Sequence, residues 1–140
     1  MHVSRSQPRL LLLIISSAAL LTALFAGPLP GKADSFVLLA TYDGVINPVA
    51  AEYLHDALAS AQESKAQALI IRLNTPGGLD TSMRLIIKDI TGATIPVVVY
   101  VSPSSGRAAS AGVFITMAAH VAAMSPGTNI GAAHPVAMGG

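Results

Sequence analysis

Apolar and polar positions alternate along this chain in two rhythms, short unbroken apolar runs and longer stretches with helical spacing. Ser35 to Ala40 predicts a first strand, and Thr41-Tyr42-Asp43-Gly44 a turn. Asn47 is a good helix N-cap with Pro48 at the first helical position. Beyond them Val49, Tyr53, Leu54, Ala57, Leu58 and Ala61 recur at helical spacing, which predicts a helix with one apolar stripe. Ala68–Leu73 reads as a second strand. A second helix from about Leu79 to Thr91 is expected to bury Met83, Ile86, Ile87 and Ile90, with Asp80 in its first turn. Gly92 ends that helix and Pro96 opens the next strand. The run Val97-Val98-Val99-Tyr100-Val101 is apolar on both faces, as a central parallel strand is. Val113-Phe114-Ile115-Thr116-Met117 continues as an apolar helix. Strand and helix alternating in this way predict an α/β fold with a mostly parallel sheet and right-handed crossovers.

The first 33 residues follow a different pattern. Arg5 and Arg9 stand without any acid before the apolar run from Leu10 to Phe25, and Gly27, Pro28, Pro30 and the small-x-small step Gly31-Lys32-Ala33 follow. That is the layout of a secretory signal with cleavage after Ala33. The apolar run is about 16 residues, short of the ~20 a bilayer span needs, and an uncleaved anchor is the alternative. In either case residues 34–140 are expected on the outer face of the cytoplasmic membrane or in the periplasm. They suffice for one domain.

Composition narrows the function classes. The 140 residues carry a net charge of +1 with no basic cluster, which excludes a nucleic-acid footprint. No cysteine is present, so no disulfide stabilises an exported domain. His2, His55, His120 and His134 are scattered, without carboxylate pairing, and no metal or other cofactor is expected. Charged residues are only 11%, and a chain so apolar is expected to bury surface in an oligomer, in further chain, or near a membrane.

Candidate chemistry gathers at two loops. Ser110 lies in Ser104-Ser105-Gly106-Arg107-Ala108-Ala109-Ser110-Ala111-Gly112, where its neighbours have almost no side chain. A serine where a strand hands over to a helix gains the unpaired N–H groups and dipole of the helix N-terminus. Small neighbours also let a substrate backbone approach, which suits an acyl-transfer nucleophile. The same residues equally suit close helix-on-sheet packing, with Ser110 as a helix cap. Upstream, Leu73-Asn74-Thr75-Pro76-Gly77-Gly78-Leu79-Asp80 ends a strand in a glycine pair that tolerates positive φ and can aim N–H groups outward, as an oxyanion hole requires. In a parallel sheet both loops leave the same carboxyl edge.

Asn74-Thr75-Pro76-Gly77-Gly78 together with Arg107-Ala108-Ala109-Ser110-Ala111-Gly112 resembles the Clp-class serine peptidases, in particular their membrane-bound NfeD (nodulation efficiency protein D) branch. Ser125-Pro126-Gly127-Thr128-Asn129-Ile130-Gly131-Ala132-Ala133-His134-Pro135 is similar to that branch too. The resemblance implies a β-β-α superhelix of the ClpP/crotonase type. It also implies a Ser110 nucleophile, an oxyanion hole from the backbone of Gly78, Gly77 and Ala111, and a protein or peptide substrate, with stomatin-like membrane proteins as partners. The branch's base is a lysine well downstream of the serine. Lys32, Lys65 and Lys88 are all upstream, so the chain reads as the N-terminal part of a protease domain whose lysine lies beyond Gly140.

His134 is the alternative base, since it follows Ser110 at about the offset where Clp proteases proper place theirs. His120 is expected to face a helix C-terminus. His55, Asp43, Asp80 and Asp89 read as turn or surface groups, and Arg107 as a solvated loop charge. A valine at Gly78 is expected to perturb a backbone donor and abolish turnover while leaving the rest of the fold largely intact. Two other functions fit the pattern: a crotonase-like acyl-thioester enzyme, which the export signal argues against, and a non-catalytic scaffold holding a membrane partner.

Overall fold

The computed structural model describes residues 35–133; the expected export signal and His134 lie outside them. β1 (Leu38–Asp43), α1 (Pro48–Glu63), β2 (Leu69–Asn74), α2 (Asp80–Thr91) and β3 (Val97–Val101) alternate as the hydrophobic pattern predicts. β4 (Arg107–Ala109), α3 (Ala111–Ala118), β5 (Val121–Met124) and β6 (Asn129–Gly131) follow. β1, β2, β3 and β5 form a parallel sheet in the order β1-β2-β3-β5, and β4 and β6 pair as a separate parallel ribbon.

Alternation sorts the strand residues. Leu69, Ile71 and Leu73 of β2 and Val97, Val99 and Val101 of β3 are buried and meet Leu54 and Leu58 of α1, Ile86 and Ile90 of α2 and Ile115 of α3 in one core. The register aligns Leu39, Ile70, Val98 and Val121 across the opposite face, where the two edge residues are exposed. β3 is central and apolar on both faces, as expected.

Three expectations need correction. The first strand runs to Asp43 rather than turning at Thr41, because pairing with β2 continues in register from Leu38↔Leu69 to Asp43↔Asn74. The buried stripe of α1 is Ala50, Ala51, Leu54, Leu58 and Ala61, whereas Val49 is 70% exposed. Alanines let α1 approach the sheet closely, and Tyr53 turns to the sheet edge, where its hydroxyl accepts the Thr41 N–H (3.2 Å) and its ring lies 6.3 Å from that of Tyr42. Finally, β3 does not hand over directly to the helix after Ser110. A loop and the three-residue β4 intervene, and the Thr75↔Ala108 bridge ties β4 to the end of β2.

Candidate active site

The two loops singled out in the sequence meet because backbone hydrogen bonds join them. Thr75 N–H donates to Arg107 O (2.8 Å) and Ala109 N–H to Thr75 O (3.0 Å), so β4 runs alongside the start of the glycine turn. Asn74 Oδ1 accepts the Arg107 N–H (2.9 Å) and its amide donates to Asp43 Oδ1 (3.0 Å), which aligns the ends of β1, β2 and β4. Ser110 N–H donates to Gly131 O (2.9 Å), fixing the serine to β6.

Ser110 occupies the N-cap position of α3 with φ +50° and ψ −113°. A non-glycine residue in that region is strained, by about 1–3 kcal/mol. The strain is not offset by capping, since the Ser110 side chain makes no cap hydrogen bond. The cap reading of this serine therefore fails. Instead Ser110 lines a cavity of about 810 Å³ lying between α2 and α3.

Gly78 and Ala111 line the same cavity, and neither N–H has a partner among the described residues. Gly78 is held by its neighbours: Ile46 N–H donates to Gly77 O (2.8 Å) and Leu79 N–H to Ile46 O (2.8 Å), which leaves the Gly78 N–H on the opposite side. Ala111 opens α3, so its N–H is one of the unpaired donors of a helix start and is backed by the dipole. Gly77, expected as another donor, is corrected: its N–H goes to Thr75 Oγ1 (3.1 Å). Its contribution is steric. It sits at φ +106°, and a Cβ there would lie 2.7 Å from Ser110 Cβ and 3.2 Å from Oγ, so only glycine leaves the serine room.

Met83 and Ile87 of α2 and Phe114 of α3 form an apolar wall of the cavity. Asp80, Arg84 and Lys88 line its polar side, with Arg84 Nε bonded to Asp80 Oδ2 (2.7 Å). That ion pair holds the Arg84 guanidinium further above its already high value, first through the hydrogen bond and then through charge. Lys88 is exposed and also reaches the cleft. Among the described residues no group of carboxylates, histidines or cysteines is arranged to hold a metal.

The remaining sequence candidates lie elsewhere. Arg107 is exposed on β4, in agreement with the solvated reading. His55 is exposed, with Nδ1 3.0 Å from Asp89 Oδ2. His120 does not face the α3 carboxyl end as expected: its Nδ1 accepts the Val97 N–H (3.2 Å) while its own N–H donates to Val97 O (3.0 Å), where β5 begins beside β3. Ser102 is buried against Arg72 Nε (3.3 Å), and Ser104 lies 3.3 Å from Ser125. Thr75, wholly buried beside the glycine turn, had no role in the sequence reading. A hydroxyl two residues before a glycine N–H is the available signal, since serine and threonine close such turns onto their own backbone.

Comparison with known proteins shows the family and the fold. The family model described as the NfeD1b N-terminal domain matches residues 39–140. The membrane-bound protease PH1510 of Pyrococcus horikoshii is 38% identical over 107 residues, which are 76% of this chain and 24% of that protein. Among solved structures, a lysine-to-alanine mutant of the 1510-N membrane-bound stomatin-specific protease, in complex with a substrate peptide, superposes with a TM-score of 0.73 at 38% identity. The match covers 74% of this chain and 48% of that one. A ClpP1 mutant from Listeria monocytogenes matches at a TM-score of 0.56 and 28% identity, over 67% of this chain and 54% of its own. The fold is thus the ClpP-like one. The chain spans about half the length of these solved relatives and about a quarter of the curated protease.

Proposed function

The chain belongs to the NfeD1b N-terminal domain family, and from that membership we propose that it is the N-terminal part of a membrane-associated serine endopeptidase with Ser110 as nucleophile. The observation that carries this reading is one cavity lined by a strained serine and by Gly78 and Ala111, whose N–H groups have no partner among the described residues. Ser110 Oγ attacks the scissile carbonyl carbon, and the developing oxyanion accepts hydrogen bonds from those two N–H groups. The base, a lysine beyond residue 140, takes the hydroxyl proton and delivers it to the leaving amine. Water then hydrolyses the acyl-enzyme. Each preorganised donor of this kind contributes about 3 kcal/mol to the transition state.

Met83, Ile87 and Phe114 suit apolar segments of the substrate. A stomatin-like protein as substrate is supported by the similar 1510-N protease, which is stomatin-specific. The export layout of the first 33 residues supports a site outside the cytoplasm, and self-association is expected from the sparse charge. Among the described residues no helix is long and apolar enough to cross a membrane.

The test is fluorophosphonate labelling and peptide cleavage by the full-length protein. Ser110→Ala is expected to lower cleavage by about 10⁴-fold or more and to abolish labelling. His134→Ala is expected to leave both intact. Persistent labelling of Ser110→Ala would refute the nucleophile. Loss of labelling in His134→Ala would transfer the base from the lysine to this histidine.

A further inference from the structure

Thr75 is fully buried, yet its hydroxyl is not used in packing. Oγ1 accepts the Gly77 N–H at 3.1 Å and lies 3.3 Å from Gly77 O as a donor, closing the turn that ends in Gly78. Both backbone groups of the same residue bind β4, the strand that delivers Ser110. Its methyl is in contact with α3 as well: a Cβ on Gly112 would lie 2.6 Å from Thr75 Cγ2. One residue therefore touches the glycine turn and the first turn of the nucleophile's helix through its side chain, and the nucleophile's strand through its backbone. Gly77 is the residue between that hydroxyl and the open Gly78 N–H, and its Cα also rests against Ser110.

We infer that Thr75 is a positioning residue, whose hydroxyl fixes the Gly77–Gly78 peptide so that the Gly78 N–H and Ser110 Oγ keep one geometry. This rests on the reading of Ser110 as nucleophile. The physical reason is that Gly77 at φ +106° has no Cβ to restrict it, and glycine turns are conformationally loose unless a neighbour ties them. A hydroxyl that takes the turn's inner N–H removes that freedom without occupying the outward donor. A small misplacement of such a donor lowers the chemical step far more than substrate binding.

The variants are Thr75→Val, which keeps the shape and loses the hydroxyl, and Thr75→Ser, which keeps the hydroxyl and loses the methyl beneath Gly112. In the full-length protein, Thr75→Val is expected to lower kcat and the fluorophosphonate labelling rate by about 10-fold to 100-fold, with KM within about twofold. Thr75→Ser is expected to melt earlier by circular dichroism yet label within about threefold of the wild-type rate. A folded valine variant that labels at the wild-type rate would overturn the inference, as would a serine variant as slow as the valine one. If Thr75→Val does not fold, Thr75→Ala and Thr75→Ser, which differ only by the hydroxyl, decide. A labelling deficit of tenfold or more in alanine upholds it, and equal rates overturn it. Labelling that survives Ser110→Ala would instead remove the nucleophile reading beneath it.

Discussion

The starts of α1 and α3 are the same structural problem solved in opposite ways. At α1, Asn47 sits in relaxed extended backbone (φ −142°) and its Oδ1 accepts the Ala50 N–H at 2.9 Å, with Pro48 filling the first helical position. At α3, Ser110 is forced to φ +50°, its side chain caps nothing, and the Ala111 N–H has no partner among the described residues. The first arrangement maximises stability. The second leaves strain and open donors at the edge of a cavity, and such violations of local rules concentrate at functional sites. The side-chain chemistry differs little, since asparagine and serine both make good caps. What separates them is the backbone, which the β4–Thr75 and Ser110–Gly131 hydrogen bonds hold in place at α3.

The largest effect is expected at the other wall of the open site. A Cβ at Gly78 would overlap the Ile46 carbonyl and lie 2.6 Å from Ile46 N, inside the backbone bridge that precedes α1. Gly78→Val is therefore not the mild donor probe that the sequence suggests. It should both abolish turnover and destabilise the domain by about 3 kcal/mol or more, since backbone cannot yield as a side chain does. Thermal melts beside cleavage assays check this. A Gly78→Val protein melting with the wild type would mean that the bridge to Ile46 is not formed in solution.

Next in size are paired substitutions at the two helix starts, expected to have opposite signs. Ser110→Gly relieves about 1–3 kcal/mol of backbone strain and costs about 0.5–1 kcal/mol of added unfolded-state entropy, so it should stabilise the protein by roughly 1 kcal/mol while ending catalysis. Asn47→Ala should destabilise it by about 1 kcal/mol through the lost cap and leave the labelling rate of Ser110 unchanged. Urea unfolding midpoints at constant m-value report both. Equal signs would show that the two helix starts do not differ as described.

The contrast was only partly legible beforehand. Asn47-Pro48, the α2 periodicity and the apolar β3 are local signals, and the structure agrees with them because tertiary packing reinforces each one. Ser110 and Gly78 stood out through their small neighbours and their combined resemblance to a family. β4 and β6 left no pattern to read: three residues each are too few for alternation, and their pairing depends on chain segments about 20 residues apart. Thr75 was invisible for a related reason. Its role comes from what it touches on β4 and α3, and a single buried threonine carries no periodicity. The exposed Val49 misled because helical spacing alone does not say which of two adjacent stripes, the alanine-rich or the bulky, the sheet will accept.

The smallest effect concerns the flank of the fold where α1 and α2 are tied together far from any strained backbone. His55 Nδ1 lies 3.0 Å from Asp89 Oδ2, with the histidine largely exposed. The hydrogen bond that His55 donates to Asp89, then the carboxylate's charge, raise the His55 pKa above the ordinary value near 6.5, with an opposing contribution from desolvation. A histidine whose folded pKa is raised contributes stability that is fully present below the unfolded value. That contribution is lost as the pH rises through the folded one. Asp89→Asn should therefore lower Tm at pH 5 and have a smaller effect at pH 8.5, and added salt should shrink the low-pH difference because the pair is open to solvent. Labelling of Ser110 should be indifferent to this substitution at either pH. A Tm loss in Asp89→Asn that grows from pH 5 to pH 8.5 would show that Asp89 acts through something other than protonated His55.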